Sequence, residues 1–287
     1  MPPPGRVAAS TRSGGVPVAA GSAYPDLMAR DYRGTTALIT GASAGLGVEY
    51  ATQLARRGAD VVLVARREDR LRDLAERLAR DHGVRATPIA LDLTRADATA
   101  VLRREIDERG IRVQSLVNNA GFGMKGSFAE ADAARIGEMV QVNVAALVAI
   151  TRELLPEMVA DGRGVLVGIA STGAYQPCPN MAVYGATKAF VLSFTEALSY
   201  ETKGTGLGVI AVSPGATRTE FFDITGADAA VGRFQLPAQV VELTLRRLDR
   251  DDVPPSVVSG RANAFSAWAA RVMPRRMTLA VSGRVLK

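Results

Sequence analysis

The chain has 287 residues, is 47% hydrophobic and 22% charged, and carries a formal net charge of +6. It is long enough to bury a sizeable core, and its one thiol, Cys178, excludes an intramolecular disulfide and a cysteine zinc cluster, so no metal site is expected and a reducing, cytoplasmic setting fits. The positive charge lies in the tails, with six basic and no acidic residues in 261–287, a net +2 in 1–33 and about −2 in 34–260; a nucleic-acid binder carries its basic face on the folded body, so nucleic acid is not expected as a partner.

Residues 1–24 are rich in Pro, Gly, Ser and Ala, with Arg6 and Arg12 among them. They lack the ~7–15-residue apolar core of a targeting peptide, and 1–33 is expected to be a disordered leader. From Thr35 onward, strand and helix patterns alternate. Ala37–Ile39 is a short apolar run ending in glycines, and residues 46–57 read as a helix stopped by Gly58. Val61–Val64 is a β-branched run of the kind a strand buried on both faces shows. Residues 68–80 have the helical period, with Leu71, Leu74, Ala75 and Leu78 on one face. The alternation continues through Thr87–Leu91, Ala96–Glu108, Ser115–Val117, a helix over 132–160, Gly164–Ile169, a helix over 182–203, and Val209–Val212. Repeated β-α-β without hairpin signals predicts an α/β fold: one doubly wound parallel sheet with helices on both faces, as one domain over 34–260. No apolar run reaches the ~18 residues of a membrane span.

In such a sheet, ligands bind beyond the carboxyl ends of the strands. After the first strand stands Gly41-Ala42-Ser43-Ala44-Gly45. It matches the G-x-S-x-G nucleophile elbow of serine hydrolases, which requires a histidine late in the chain. The only histidine, His82, follows Ser43 by 39 residues and sits in a turn after a helix, which argues against that reading. The alternative is a phosphate cradle. Gly41 permits a tight turn, and Gly45 and Gly47 leave a helix start open to a pyrophosphate.

The spacing Thr40-Gly41-x-x-x-Gly45-x-Gly47 resembles the cofactor loop of the short-chain dehydrogenase/reductase family. The resemblance continues through Asn118-Asn119-Ala120-Gly121, Asn143, Ser171, Tyr184-Gly185-Ala186-Thr187-Lys188 and Pro214-Gly215. It implies that Gly41, Ser43, Ala44, Gly45, Leu46 and Gly47 hold the cofactor phosphates, that Asp92 and Leu93 lie at the adenine, and that Asn119, Ala120 and Gly121, beside Asn118, close the adenosine floor. Pro214, Gly215, Thr217 and Thr219 resemble the segment at the nicotinamide, with Tyr184 and Lys188 beside it. It also implies a catalytic set of Asn143, Ser171, Tyr184 and Lys188, and a homodimer or homotetramer built on the long helices.

The chemistry fits those residue types. Reducing a carbonyl by hydride requires a proton at its oxygen, and a free phenol titrating near ~10 is a weak partner at neutral pH. Tyr184 and Lys188 are one helical turn apart, and an ammonium at ~4 Å with an effective dielectric of ~20 attracts a phenolate by about 4 kcal/mol before desolvation. The phenol is therefore expected to shift toward neutrality. The second strand ends without an acid and runs into Ala65-Arg66-Arg67, which favours the 2′-phosphate of NADP over NAD, with Arg66 as its partner and Ser43 able to add a hydroxyl.

The expected reaction is interconversion of a small-molecule carbonyl and a secondary alcohol. Phe221, Phe222 and Phe234 read equally well as core or as the lining of an apolar pocket for a lipophilic substrate. Gly123, Met124, Tyr175, Pro177 and Met181 are further candidates for its border. Residues 262–287 mix Phe265, Trp268 and Met277 with arginines and are broken at Pro274. Such a stretch can lie on an anionic membrane, pack over the active site or join subunits. A non-catalytic dinucleotide-sensing or scaffold protein is the alternative to an enzyme.

Overall fold

A computed structural model describes residues 30–226 and 229–286. Its centre is a seven-stranded sheet in the order β3-β2-β1-β4-β5-β6-β7, with every pair parallel. The strands are β1 (Thr36–Thr40), β2 (Asp60–Ala65), β3 (Ala86–Ala90), β4 (Ser115–Asn118), β5 (Val165–Ile169), β6 (Gly208–Ser213) and β7 (Ser256–Val258). The inner strands are buried almost throughout, which is why β1, β2, β5 and β6 read as unbroken apolar runs.

One face of the sheet is covered by α1 (Gly45–Arg56), α2 (Glu68–His82) and α8 (Pro237–Leu248), through Tyr50, Leu54, Leu71, Leu74, Val241 and Leu245. The other face carries α3 (Ala98–Glu108), α5 (Leu147–Asp161) and α6 (Ala182–Glu201), through Leu102, Ile106, Ile150, Leu154 and Leu198. The helix expected over 132–160 is α4 (Ala133–Val140), a π-helical stretch at Gln141–Ala146, and α5 in succession. By length and composition this stretch is apolar enough to cross a membrane, although no such run was expected. Its buried row of Ala146, Ile150, Leu154 and Met158 belongs to the core.

Of residues 30–33, assigned above to the leader, Arg30 and Tyr32 are packed into the body while Asp31 and Arg33 are exposed, and residues 1–29 lie outside the described residues. Tyr32 is fully buried in the core. Arg30 donates to the carbonyls of Gly164, Gly206 and Leu248 at 3.1, 2.9 and 3.5 Å, and its N–H reaches Asp249. At the other end, the chain closes with α7 (Phe221–Thr225), α9 (Arg261–Val272) and α10 (Arg275–Val285), the last two separated at Pro274.

Candidate active site

A cavity of about 1050 Å³ opens at the carboxyl end of the sheet, where the strand order reverses between β1 and β4. Every residue expected to act in catalysis or to hold the cofactor, except Gly47 and Asn143, lines it. His82, the last residue of α2, does not, so Ser43 has no histidine partner.

The glycine loop is fixed by backbone contacts. Gly41 and Gly45 take φ of +67° and +55°, a region open chiefly to glycine. The Asn119 amide donates to the carbonyls of Thr40 and Gly41 at 2.9 and 3.2 Å. The Thr40 hydroxyl accepts from the N–H groups of Asn119 and Ala120, both at 3.0 Å. These bonds lock the ends of β1 and β4 together. Gly47, expected to be bare to admit a pyrophosphate, is required by packing as well: a Cβ there would stand 2.2 Å from the Gly41 carbonyl oxygen. At Gly45 a Cβ would meet the Thr219 methyl at 2.7 Å, because the segment after β6 lies over the loop. No side chain caps α1 and no acid stands in its first turn, which leaves its N-terminal N–H groups and positive dipole end for an anion. This cradle fits a dinucleotide pyrophosphate.

Arg66 is exposed at the cavity rim after β2. Arg67, which sequence reasoning passed over, is engaged more deeply. Its guanidinium donates to the Ser43 hydroxyl at 3.0 Å and pairs with Glu220 at 2.6 Å. Glu220 is also bonded to Arg70, and the two guanidinium groups hold its carboxyl below the usual range. Asp92 accepts from the N–H and hydroxyl of Thr94 at 3.0 and 2.9 Å, with buried Leu93 between them.

The catalytic candidates converge on one wall. Ser171 starts the turn after β5, and its hydroxyl accepts from the Gly173 N–H at 3.1 Å and lies beside Tyr184, whose phenol it acts on. Lys188 is 6% exposed and donates to the Ile169 carbonyl at 2.8 Å, with its nitrogen 6.0 Å from the Tyr184 ring centre. The expected shift of the phenol toward neutrality is not what this arrangement produces. Burial pushes the Tyr184 phenol up to about 12, and the Ser171 hydroxyl opposes it only in part. Burial likewise pushes the Lys188 ammonium down to about 8. Desolvation outweighs the attraction sketched from spacing alone.

Asn143 sits behind this wall, in the π-helical stretch, a feature frequent at functional sites. It accepts from the Phe122 N–H at 3.1 Å and donates to the Phe122 carbonyl and the Thr187 hydroxyl at 3.0 and 3.1 Å. A Cβ on Gly121 would stand 2.9 Å from the Asn143 oxygen and 3.4 Å from the Lys188 nitrogen, so this glycine admits those two side chains.

On the substrate side, Phe221 packs on Tyr184 with ring centres 5.4 Å apart, and Phe222 follows edge-on at 5.2 Å. Both line the cavity, whereas Phe234 packs on Phe222 from outside the lining. Met181 lines it too. Gly123, Met124, Tyr175 and Pro177 do not. Tyr175 is instead turned inward, its hydroxyl 3.3 Å from that of Ser213. Sequence reasoning left out Gln176 and Cys178, which border the cavity, and of the alternatives it gave for 262–287 the structure shows the packing over the site, since the inner sides of α9 and α10 line the cavity. Burial pushes the Cys178 thiol up to about 11, so it behaves as a small apolar residue.

A parallel sheet, a glycine-built anion cradle and a buried Tyr-Lys-Ser group sharing one cavity define a nicotinamide-dependent oxidoreductase. Residues 35–229 match the sequence profile of the short chain dehydrogenase family. The chain belongs to the short-chain dehydrogenase/reductase family and is an NAD(P)-dependent oxidoreductase acting on small-molecule carbonyls or alcohols. It is 39% identical over 248 residues to sulfoacetaldehyde reductase 2 of Chromohalobacter salexigens, covering 83% of this chain and 98% of that one. Among solved structures, a short-chain dehydrogenase from Sphingobium yanoikuyae in complex with NADPH is similar with a TM-score of 0.74 and 35% identity, covering 86% of this chain and 95% of that one. The bulky-bulky ketone specific alcohol dehydrogenase of Comamonas testosteroni has a TM-score of 0.69 and 31% identity, covering 87% and 92%.

Proposed function

We propose that the protein is an NADPH-preferring reductase of bulky, largely apolar ketones, with Tyr184 as the proton donor. The observation that carries this reading is that Tyr184, Ser171 and Lys188 line one cavity with the glycine loop. When bound, the nicotinamide supplies the hydride. Ser171 orients the substrate oxygen toward the phenol, and Tyr184, protonated at neutral pH, releases its proton to that oxygen. Lys188, buried one turn along, stabilises the phenolate that results. Asn143 holds the Phe122 backbone beneath Lys188. Ser43, Arg66 and Arg67 form the anion site that supports a preference for the 2′-phosphate.

Phe221, Phe222 and Met181 support a lipophilic substrate. Three arginines that line the same cavity, Arg233, Arg261 and the Glu138-paired Arg135, favour a second reading, a small anionic aldehyde. Assembly as a dimer or tetramer through the outer faces of α5 and α6 belongs to the same proposal, supported by exposed Phe190 and Tyr200 on α6. The test is NADPH and NADH oxidation against a panel of bulky ketones and sulfoacetaldehyde. NADPH is expected to be favoured at least about tenfold, as one charge-assisted phosphate contact gives. Tyr184→Phe is expected to lose about 10³-fold in kcat while still binding NADPH. A Phe variant with near-normal turnover, or a tenfold NADH preference, overturns the reading.

A further inference from the structure

The two C-terminal helices are packed with their polarity inverted. α10 buries Thr278 and Ser282 and leaves Met277, Leu279, Val281 and Val285 in solvent. α9 buries only Ala267 and Ala270, and its large apolar residues Phe265, Trp268 and Val272 share one exposed face at i, i+3 and i+7. Phe265 is 67% exposed and Trp268 58% exposed. Folding of this chain alone does not account for such a distribution.

The two exposed faces meet at the mouth of the cavity. Phe265 on α9 and Val281 and Val285 on α10 are at once exposed and cavity-lining, so the apolar lining runs continuously out to the surface between the two helices. Charge indicates what covers it. The segment 261–286 holds Arg261, Arg271, Arg275, Arg276 and Arg284 and no acidic residue. Arg271 is held by Glu196 at 3.5 Å, whereas among the described residues Arg275, Arg276 and Arg284 have no ion-pair partner. A second copy laid on this face about a two-fold axis would set arginine against arginine. Apolar side chains with unpaired arginines around them complement a bilayer surface bearing anionic headgroups.

We infer that α9 and α10 dock the enzyme on an anionic lipid bilayer and open the substrate cavity to it, so that the substrate is a membrane-dissolved ketone or alcohol. This rests on the cavity being the substrate site, as proposed above. In the docked orientation the Phe265–Val281–Val285 mouth faces the acyl region, and an apolar substrate passes from lipid to cavity without crossing water.

Trp268 is the only tryptophan in the chain and lies in the docking face, so its emission reports contact directly. The full-length protein with NADPH is mixed with vesicles of phosphatidylcholine alone, or of phosphatidylcholine with phosphatidylglycerol, at low and raised salt. Sedimentation with the phosphatidylglycerol vesicles and a blue shift of Trp268 are expected, both reduced by salt. Arg275→Ser with Arg276→Ser is expected to weaken partitioning about thirtyfold, at roughly fivefold per arginine. Val272→Ser with Met277→Ser is expected to abolish the blue shift while turnover of a water-soluble ketone without lipid stays at the wild-type rate. Absence of binding to phosphatidylglycerol vesicles, or equal binding to both vesicle types, overturns the inference. A blue shift that grows with protein concentration in the absence of lipid also overturns it, and assigns the face to a second copy. Failure of lipid-free turnover in the wild type would count against the proposed reaction instead, so the two failures are distinguishable.

Discussion

At the cofactor end of the cavity, one added carbon on Gly47 would stand 2.2 Å from the Gly41 carbonyl oxygen, whereas at the substrate end one added to Gly283 would stand 3.7 Å from Pro179, an ordinary contact. The first end is built of backbone against backbone, tied by Asn119 and Thr40. The second is walled by side chains of short helices, many of them half-exposed. The contrast separates what the reaction requires from what the substrate requires. A loop in contact with carbonyl oxygens tolerates almost no change, while helices that bury alanines and serines can be re-walled without disturbing the sheet.

Lys188 lies where the two ends meet, and its replacement is the largest perturbation available. Burial lowers its ammonium from 10.5 to about 8. Between those values the unfolded chain holds a proton that the folded chain has released, so this group's contribution to stability rises with pH across that window, and its full penalty applies below pH 8. Lys188→Met is expected to lose turnover and to abolish this pH dependence, so that its stability relative to wild type falls as pH rises from about 8 to 10.5, the loss of the donor to the Ile169 carbonyl offsetting the relief of desolvation. Denaturant titrations of the cofactor-free protein across that range check this; a gap that does not change with pH would break the argument.

Gly47→Ala comes next. Its methyl group meets a carbonyl that is already part of the loop, so a loss of about 2 kcal/mol is expected together with weakened NADPH binding. Thermal unfolding with and without NADPH measures both. The smallest effect is at the other end. Gly283→Ala, inside α10 with room for its methyl, is expected to stabilise by up to about 1 kcal/mol through helix propensity and to leave turnover alone. Similar losses from the two alanines would erase the contrast between the ends.

The same contrast explains how far the sequence could be read. β2 was expected at Val61–Val64 and runs from Asp60 to Ala65, and the helix expected over 68–80 is Glu68–His82, because strands buried on both faces and amphipathic helices carry their burial in the residue pattern. The Tyr184-Lys188 spacing likewise foretold a shared helix face. It did not foretell burial, which is why the direction of the phenol's shift was missed. Arg67 was missed because its partners, Ser43 and Glu220, come from elements 24 and 153 residues away. The packing of α9 and α10 was unreadable for a different reason. Their apolar pattern marks the outer face, so periodicity pointed away from the side that actually meets the fold.

The N-terminal arm has a practical consequence. The family match starts at residue 35, which invites trimming the chain there. Such a truncation would strip the carbonyls of Gly164, Gly206 and Leu248 of their guanidinium donor and leave a tyrosine-sized hole beneath α1 and α8. The shortest piece of this enzyme that keeps its floor intact therefore begins no later than Arg30, upstream of where the family profile starts.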